Sequence, residues 1–195
     1  MQAPLYLKEK DVILASQSPR RKELFAGLGI PFRVETREID ESFPASLKAG
    51  EIPLFLSRAK SAEFDKTILE NQIVITADTV VWINDHVLNK PVHRDEAILM
   101  LNELSGSLHE VYTGVTITSK QQKISFVDRT LVSFSALTKE EIEYYIDVHR
   151  PFDKAGAYGV QEYIGYIGID RLEGSYYNVM GLPVHRLYTE LKKFQ

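Results

Sequence analysis

Apolar residues recur along this chain in two periods, and the two periods alternate along its length. Short apolar runs and period-two alternation predict strands at residues 12–15, 32–36, 73–77, 109–119, 123–135 and 166–174. Apolar residues at three- and four-residue spacing predict helices at residues 19–28, 52–64, 95–104, 139–148 and 183–194. Because strands and helices are interleaved, with hairpins among them, the pattern predicts an α/β fold with a mixed sheet and flanking helices.

Residues at the ends of these segments support the assignment. Asn84-Asp85 separates two apolar runs and predicts a hairpin turn, and Gly106 follows a helix as a stop residue. Thr138 with Glu141 three residues later forms a capping-box pattern, which predicts a helix start. No repeat or linker interrupts the pattern, so we expect one domain over residues 1–195, with two lobes.

The predicted helix at residues 19–28 begins with an unusual distribution of charge. Ser18 suits the N-cap and Pro19 the first helical position, yet Arg20 and Arg21 follow directly at the positive end of the helix dipole. One interpretation is an anion site, in which backbone N–H groups, serine hydroxyls and guanidiniums converge on a phosphate chain. The other is that both arginines lie on a solvated face.

Composition narrows the classes of function. The 195 residues carry a formal net charge of -4, with a sequence pI near 5.8, so a basic surface for long nucleic acid is not expected. The chain has no Cys, which excludes thiol nucleophiles, disulfides and cysteine zinc sites. Its N-terminus lacks a secretory pattern, and its most apolar stretch is too short to cross a bilayer. We therefore expect a cytoplasmic protein without a membrane partner.

The polar residues at the ends of elements suggest phosphate chemistry. The common nucleotide-binding glycine loops, the nucleophile elbow and the H-E-x-x-H zinc motif are all missing from the sequence. Asp78 interrupts an apolar strand and Glu41 ends another, so the two could hold Mg²⁺ or Mn²⁺; a salt bridge for Asp78 and a solvated loop for Glu41 are the alternatives. Lys90 and Lys154 suit phosphate but are equally typical of surface lysines. The inventory favours metal-assisted attack of water on a phosphoanhydride.

Six segments resemble one family in composition and order. They are "LASQSPRRKELF", "ADTVV", "NKP", "LSGSLHEVYTGV", "DKAGAYGVQ" and "GSYYNVMGLP", and together they resemble Maf-like proteins over nearly the whole chain. The resemblance implies a nucleoside triphosphate pyrophosphatase that yields a nucleoside monophosphate and pyrophosphate with a divalent cation. It also implies an elongated, inosine-triphosphatase-like α/β fold with two lobes around a cleft. Family members from bacteria are commonly cytoplasmic homodimers, so a homodimer is expected.

The same resemblance implies roles for individual residues. Asp78 matches the proton acceptor, and it shares the expected metal site with Glu41. The substrate-binding positions match the family's phosphate loop, cleft lysines and base-selecting residues: Ser16, Arg20, Arg21, Lys60, Thr79, Lys90 and Gln161. Within the family, Arg20, Thr79 and Gln161 resemble the branch that prefers dTTP and UTP. The Gln161 amide could pair with the O4 and N3–H edge that uracil and thymine share, and acceptance could extend to C5-modified uridines.

Two other classes of function compete with the enzyme. Some family members were first described as inhibitors of septum formation, which suggests a nucleotide-binding regulator of cell division acting through a protein partner. An RNA-binding protein using "SPRRK" is disfavoured by the acidic composition.

The sequence also predicts the effect of replacing Arg21 by Ala. This change should weaken triphosphate binding while leaving the ligand-free protein equally or slightly more stable, because a cation leaves the positive end of the helix dipole.

Overall fold

A mixed seven-stranded sheet runs through the protein. The computed structural model describes residue 7 and residues 9–194. Its strands are β1 (Asp11–Leu14), β2 (Arg33–Val34), β3 (Gln72–Ile83), β4 (His86–Leu88), β5 (Leu108–Thr118), β6 (Lys123–Phe134) and β7 (Ile169–Glu173). They lie in the order β2-β1-β3-β5-β6-β7, with β4 paired to β3. Strand β1 is parallel to β2 and β3, and every other described pairing is antiparallel.

Helices cover the sheet on both faces. They are α1 (Pro19–Ala26), α2 (Glu51–Ala62), α3 (Arg94–Leu104), α4 (Lys139–His149), α5 (Tyr163–Gly168), α6 (Tyr176–Val179) and α7 (Val184–Leu191), with a 3₁₀ turn at Ala155–Ala157. Among the described residues, no helix is long and apolar enough to span a membrane.

Two apolar cores divide the molecule into lobes along its long strands. In the α1/α7 lobe, Phe25 and Leu187 pack on the first half of β3. In the α3/α4 lobe, Leu101 and Ile146 pack on its second half, beginning at Val81. Helix α2 covers the opposite face of β3, because successive side chains of a strand point to opposite faces. The expected α/β class and two-lobed architecture are therefore confirmed.

The two lobes leave a gap along one edge of β3. Strand β1 pairs with β3 only as far as Ile75, and β4 begins to pair with it at Val81. Between these points, no described strand borders this side of β3, although β5 continues along the other side. Asp78 and Thr79 lie in the gap. The interruption of an apolar strand that the sequence shows at Asp78 thus coincides with an interruption of the sheet.

Most predicted elements are present, and three differ. Ser18 caps α1, and Thr138 and Glu141 form the capping box of α4. The hairpin turns at Asn84-Asp85, and both residues have a positive φ. The strand predicted at 73–77 continues through Asp78 to Ile83, because the backbone stays paired with β5 past Asp78, whose side chain is only half-buried at the gap. The strand predicted at 166–174 was wrong for its first three residues, 166–168, which are helical. Helix α6 was not predicted. Residues 1–6 and 8, on which the expectation about the N-terminus rests, lie outside the described residues.

Candidate active site

The gap in β3 opens into a cleft of about 800 Å³ between the two lobes. It takes residues from the loop after β1, the start of α1, the loop before α2, α2 itself, β3, β5, the loop after β4, the segment around the 3₁₀ turn and the end of α6. All nine residues to which the resemblance gives a role line this cleft: Ser16, Arg20, Arg21, Glu41, Lys60, Asp78, Thr79, Lys90 and Gln161. Residues spread over 146 positions of the chain thus converge on one surface.

Lys60 lies between the two carboxylates that the sequence proposed as a metal pair. Its Nζ is 2.7 Å from Oδ1 of Asp78 and 2.8 Å from Oε1 of Glu41. The salt bridge considered for Asp78 is therefore formed, but inside the cleft and with a residue that the sequence also assigned to the site. No described residue donates a hydrogen bond to Oδ2 of Asp78, so that oxygen is available to a ligand or to water.

Close packing of α2 on the sheet brings Lys60 to Asp78. Gly114 of β5 lies directly opposite Asp78 in the strand register. A Cβ at Gly114 would come within 2.3 Å of the carbonyl of Pro53 in α2. Only glycine permits this approach of helix to sheet, and the ammonium at the far end of α2 consequently reaches the β3 gap.

The carboxylate pair fits a hard divalent cation in part. Magnesium is usually held by one or two carboxylates, with waters and substrate phosphates completing its coordination, and Glu41 and Asp78 supply that number. Among the described residues, no group of three or more His, Cys, Asp or Glu side chains could hold a metal. Burial raises the pKa of Glu41, but the hydrogen bond and charge of Lys60, with the charges of Lys90 and Arg21, outweigh it and lower that pKa overall. Glu41 is therefore ionised, as a metal ligand must be.

The start of α1 forms a second wall, and Arg21 is bound there by the protein itself. Its Nε donates to the carbonyl of Gly181 at 2.8 Å, Nη1 to the carbonyl of Ala77 at 2.9 Å and Nη2 to the hydroxyl of Thr79 at 2.9 Å. Burial lowers the pKa of Arg21, although the charge of Asp78 opposes this. Arg21 thus ties the open edge of β3 to the loop after α6.

This geometry reverses one expectation from the sequence. The helix-dipole argument predicted that ligand-free stability is maintained or improved when Arg21 is replaced by Ala. The structure shows three protein acceptors that would lose a hydrogen bond from the guanidinium, and a buried acceptor left unpaired costs about 1–3 kcal/mol. The solvated-face interpretation is also wrong for Arg21. The dipole term, about 0.3–1 kcal/mol, is smaller than this loss.

Arg20 leads to an ion-pair network whose carboxylates, Asp153 and Glu162, sequence reasoning missed. Its Nη1 is 2.7 Å from Oδ2 of Asp153, and Oδ1 of Asp153 is 2.7 Å from Nζ of Lys154. Lys154, for which a surface position was the alternative, is buried and also contacts Oε1 of Glu162 at 3.0 Å. The motif "DKAGAYGVQ" contains Asp153 and Lys154, but neither its spacing nor its composition shows that α1 lies opposite.

Gln161 presents an unpartnered polar atom to the cleft. Its Oε1 is buried and, among the described residues, has no hydrogen-bond partner. Leaving such an acceptor unpaired is unfavourable by about 1–3 kcal/mol, so the position is suited to a donor that arrives with a ligand. Lys90 is exposed at the rim and forms no ion pair with a described residue, which leaves its ammonium free for an anion.

Two apolar side chains at the end of α6 add to the lining of the cleft. Val179 ends α6 and Met180 follows it, and the buried Asn178 holds this helical turn through bonds from its Nδ2 to the carbonyl of Val111 and the hydroxyl of Thr130. His109 is buried in the core beside Tyr158, which lines the cleft. Its Nε2 and the hydroxyl of Tyr158 are 2.8 Å apart, and burial lowers the pKa of His109 to about 3. It is therefore neutral at physiological pH and serves packing.

Comparison with solved structures supports the fold. The structure of the Staphylococcus aureus Ham1 protein aligns with a TM-score of 0.54 over 95% of this chain and 100% of that one, at 13% sequence identity. This degree of identity bears on architecture alone. The mixed α/β sheet with flanking helices is thus a fold that the Ham1 protein shares.

Comparison of sequences identifies the family. A protein named dTTP/UTP pyrophosphatase from Parabacteroides distasonis is 49% identical over 189 residues, which cover 96% of this chain and 98% of that protein. Another of the same name from Phocaeicola vulgatus is 52% identical over 188 residues, covering 96% and 97%. The family model described as Maf-like protein matches residues 11–194. The chain therefore belongs to the Maf family.

Proposed function

We propose that this protein is a nucleoside triphosphate pyrophosphatase that hydrolyses dTTP and UTP to the nucleoside monophosphate and pyrophosphate. The observation that carries the proposal is Asp78, which lies in the gap of β3 with one carboxylate oxygen held by Lys60 at 2.7 Å and the other uncommitted. Relatives at about half identity over nearly their full length are named for this activity. Removal of dTTP and UTP, and of C5-modified uridine nucleotides that share their pairing edge, would be a house-cleaning reaction.

Asp78 would act on the attacking water. Its free Oδ2 accepts the proton of a water whose oxygen attacks the α-phosphorus, while Lys60 keeps the carboxylate oriented. The bond from the α-phosphorus to the oxygen that bridges to the β-phosphorus then breaks, and that oxygen leaves with the pyrophosphate. Lys60, Lys90 and the remaining N–H groups of Arg20 and Arg21 stabilise the negative charge that accumulates there. The buried hydroxyl of Ser16 and the N–H groups at the start of α1 complete the phosphate site.

A divalent cation, Mg²⁺ or Mn²⁺, belongs to this proposal. Glu41 and Asp78 would hold it together with oxygens of the triphosphate, and it would neutralise phosphate charge and help to orient the chain. Lys60 occupies the space between the two carboxylates in the ligand-free protein. The residues therefore suit a cation that arrives with the nucleotide better than one that is resident.

Base choice follows from the other end of the cleft. Oε1 of Gln161 would accept the N3–H of uracil or thymine, and its amide would donate to O4. Arg20 and Thr79 border the same cleft, and Thr79 is held by Arg21 and Thr113. Cytosine and the purines present other edges to Gln161. We expect about 10- to 100-fold preference for dTTP and UTP over ATP and GTP, since each unpaired polar group costs about 1–3 kcal/mol.

The competing proposal is a nucleotide-binding regulator of cell division that acts through a protein partner. It shares the cleft but requires neither a free oxygen on Asp78 nor a second carboxylate beside it to hold a cation. The geometry and the names of the relatives favour the enzyme.

We further propose that the whole chain acts as one domain, that the protein forms a homodimer and that it works in the cytoplasm. Light scattering coupled to size-exclusion chromatography tests the homodimer directly.

A panel of nucleotides tests the function. UTP, dTTP, CTP, GTP and ATP are incubated with the purified protein, with Mg²⁺, with Mn²⁺ or with a chelator, and both products are quantified. The proposal requires monophosphate and pyrophosphate in equal amounts, fastest from UTP and dTTP and only with a metal present. Release of orthophosphate, turnover without metal, or tight binding without any turnover would contradict it, and the last result would favour the regulator.

A further inference from the structure

An ion pair joins the start of α1 to the loop on the other side of the cleft. Nη1 of Arg20, in the α1/α7 lobe, is 2.7 Å from Oδ2 of Asp153, whose loop packs with the α3/α4 lobe. The two residues are 133 positions apart in the chain. Because only one guanidinium nitrogen takes part, Nε and Nη2 of Arg20 keep their N–H groups for another acceptor.

Asp153 is itself anchored more firmly than an exposed carboxylate usually is. Its second oxygen accepts a hydrogen bond from the buried Lys154 at 2.7 Å, and Lys154 is held from its other side by Glu162 at 3.0 Å. Glu162 accepts from the hydroxyl of Tyr145, and the same hydroxyl accepts from the backbone N–H of Gly159. The chain of contacts therefore ends in the segment that carries Gln161.

The backbone between Lys154 and Gln161 is also constrained. Gly156 has φ of +68° and packs against Val81, where a Cβ would come within 3.0 Å of a methyl group. The buried Ala157 has φ of +58°, a left-handed conformation that a non-glycine residue keeps only where its surroundings enforce it. A loop held in this way offers Asp153 as a fixed point for the guanidinium of Arg20.

We propose that Asp153 is a positioning residue that orients the Arg20 guanidinium toward the bound nucleotide, and that it thereby couples Arg20 to Gln161 in substrate selection. This inference rests on the proposed function, because it assigns a role within that reaction. Asp153 touches no reacting atom in it; it acts through Arg20. The charges of the network, on Arg20, Asp153, Lys154 and Glu162, sum to zero, so the network as a whole neither attracts nor repels the triphosphate. Arg20 therefore contributes through the direction in which its remaining N–H groups point.

A purely structural role for the pair is the main alternative, and the exposure of Asp153 argues against it. Its side chain is 57% exposed, and exposed ion pairs contribute little to stability. A matched pair elsewhere in the chain gives the comparison. Arg94 and Asp147 bond at 2.7 Å, Asp147 is 56% exposed, and neither residue lines the cleft.

The test is a double-mutant cycle with Asp153→Asn, Arg20→Gln and both together, with Asp147→Asn as the control. Steady-state kinetics with UTP, dTTP, CTP and GTP give kcat and KM, and calorimetry gives the affinity for UTP without added metal. We expect Asp153→Asn to raise KM for UTP about tenfold, with a smaller change in kcat, and to lower the preference for UTP over GTP. The double variant should be no worse than Arg20→Gln alone, Asp153→Glu should restore part of the loss, and Asp147→Asn should stay within twofold of wild type.

The outcomes separate the inference from the function on which it rests. Wild-type turnover of UTP and dTTP tests the function, whereas the cycle tests the coupling between Arg20 and Asp153. If the wild type bound UTP without hydrolysing it, the calorimetric cycle would still measure that coupling. Additive effects of the two substitutions, or an effect of Asp153→Asn on thermal stability alone, would overturn the role of Asp153.

Discussion

Two lysine-centred clusters face each other across the cleft, and they are built alike. Lys60 bridges Glu41, 55% exposed, and Asp78, 15% exposed. Lys154 bridges Asp153, 57% exposed, and Glu162, 22% exposed. Each cluster thus has one outer carboxylate, one inner carboxylate and an ammonium between them.

The clusters differ in what else holds their carboxylates. In the Lys154 cluster, Arg20 and Tyr145 take the remaining oxygens of Asp153 and Glu162, so every carboxylate oxygen has a partner. In the Lys60 cluster, no described residue besides Lys60 bonds either carboxylate, and the cluster keeps a net charge of about -1. A satisfied network rigidifies its surroundings, whereas an unsatisfied one is available to water and cations. The comparison assigns chemistry to the Lys60 cluster and positioning to the Lys154 cluster.

The largest expected effect follows from exchanging a carboxylate for an amide in each cluster. Asp78→Asn should lower UTP turnover at least ~10²-fold, the usual scale for losing a general base, while circular dichroism and the unfolding midpoint stay close to wild type. The matched change Glu162→Gln should lower turnover less than about tenfold, because its carboxylate reaches substrate only through Lys154 and the loop. Equal losses of turnover from the two changes would remove the distinction between the clusters.

Removing each lysine should produce opposite signatures. Lys154→Met leaves the half-buried Glu162 without its cation, so we expect it to lower the free energy of unfolding by about 2 kcal/mol; this is less than for a fully buried pair, because both carboxylates keep some contact with water. Lys60→Met leaves a pair of carboxylates with no ammonium between them. We expect it to bind Mn²⁺ about tenfold more tightly than wild type without nucleotide, since one repelling charge is gone. Calorimetry with Mn²⁺ and urea unfolding measure both quantities in both variants.

The result that would contradict this contrast is specific. Unchanged Mn²⁺ affinity in Lys60→Met would mean that Glu41 and Asp78 do not form a cation site in the free protein. Tighter Mn²⁺ binding in Lys154→Met would mean that the second cluster is a cation site as well.

The next effect concerns neighbouring residues of one segment. Glu162 is bonded on both oxygens, whereas Oε1 of the adjacent Gln161 has no described partner. Gln161→Glu replaces the amide donor by a carboxylate facing O4 of the base, so kcat/KM for UTP and dTTP should fall about tenfold more than for ATP or GTP. Glu162→Gln acts on selection only through the Lys154 cluster, so its change in the preference for UTP over GTP should be smaller than that of Gln161→Glu. A uniform loss in Gln161→Glu would show that base reading lies elsewhere.

The sequence predicted the Lys60 cluster far better than the Lys154 cluster. Asp78 is conspicuous because a carboxylate interrupts an apolar strand, which is a local pattern, and the nine predicted residues do converge. The glycine that lets Lys60 reach Asp78 lies in another strand, and nothing in its neighbourhood predicts its register partner. The motif resemblance supplied Lys60, and periodicity alone would not have done so.

The Lys154 cluster escaped prediction because its contacts are non-local. A lysine in a glycine-containing loop is usually a surface residue, and only the packing of α1 against that loop shows that Asp153 meets Arg20. The same limit explains the reversed expectation for Arg21, whose acceptors on β3 and after α6 lie 56 and 160 positions away. Elements with a local cause, such as the capping box at Thr138, were predicted correctly, whereas α6 has only one turn and no period to read.

The smallest effect is the acid dependence of stability, which distinguishes the outer carboxylates. Burial raises the pKa of Asp153, but hydrogen bonds from Lys154 and Arg20, together with their charges, lower it overall below its ordinary value of 3.8; Glu41 is likewise lowered below 4.5. A carboxylate whose pKa is depressed by folding stabilises the protein above its unfolded pKa, and this contribution is lost as the pH falls through the folded pKa. Both outer carboxylates should therefore stabilise the ligand-free protein at neutral pH.

Because both side chains are more than half exposed, each contribution should be well below 1 kcal/mol, or about 1–2 °C in the unfolding midpoint. Glu41→Gln should differ from wild type at pH 7 and begin to converge with it as the pH falls through about 4.5, whereas Asp153→Asn should keep its difference until the pH falls through about 3.8. Midpoints are measured by calorimetry from pH 7 to pH 3, with Asp147→Asn as an ion-pair control away from the cleft. A difference that grows as the pH falls would show that the lysines do not hold these carboxylates ionised, and the comparison of the two clusters would fail at its outer residues.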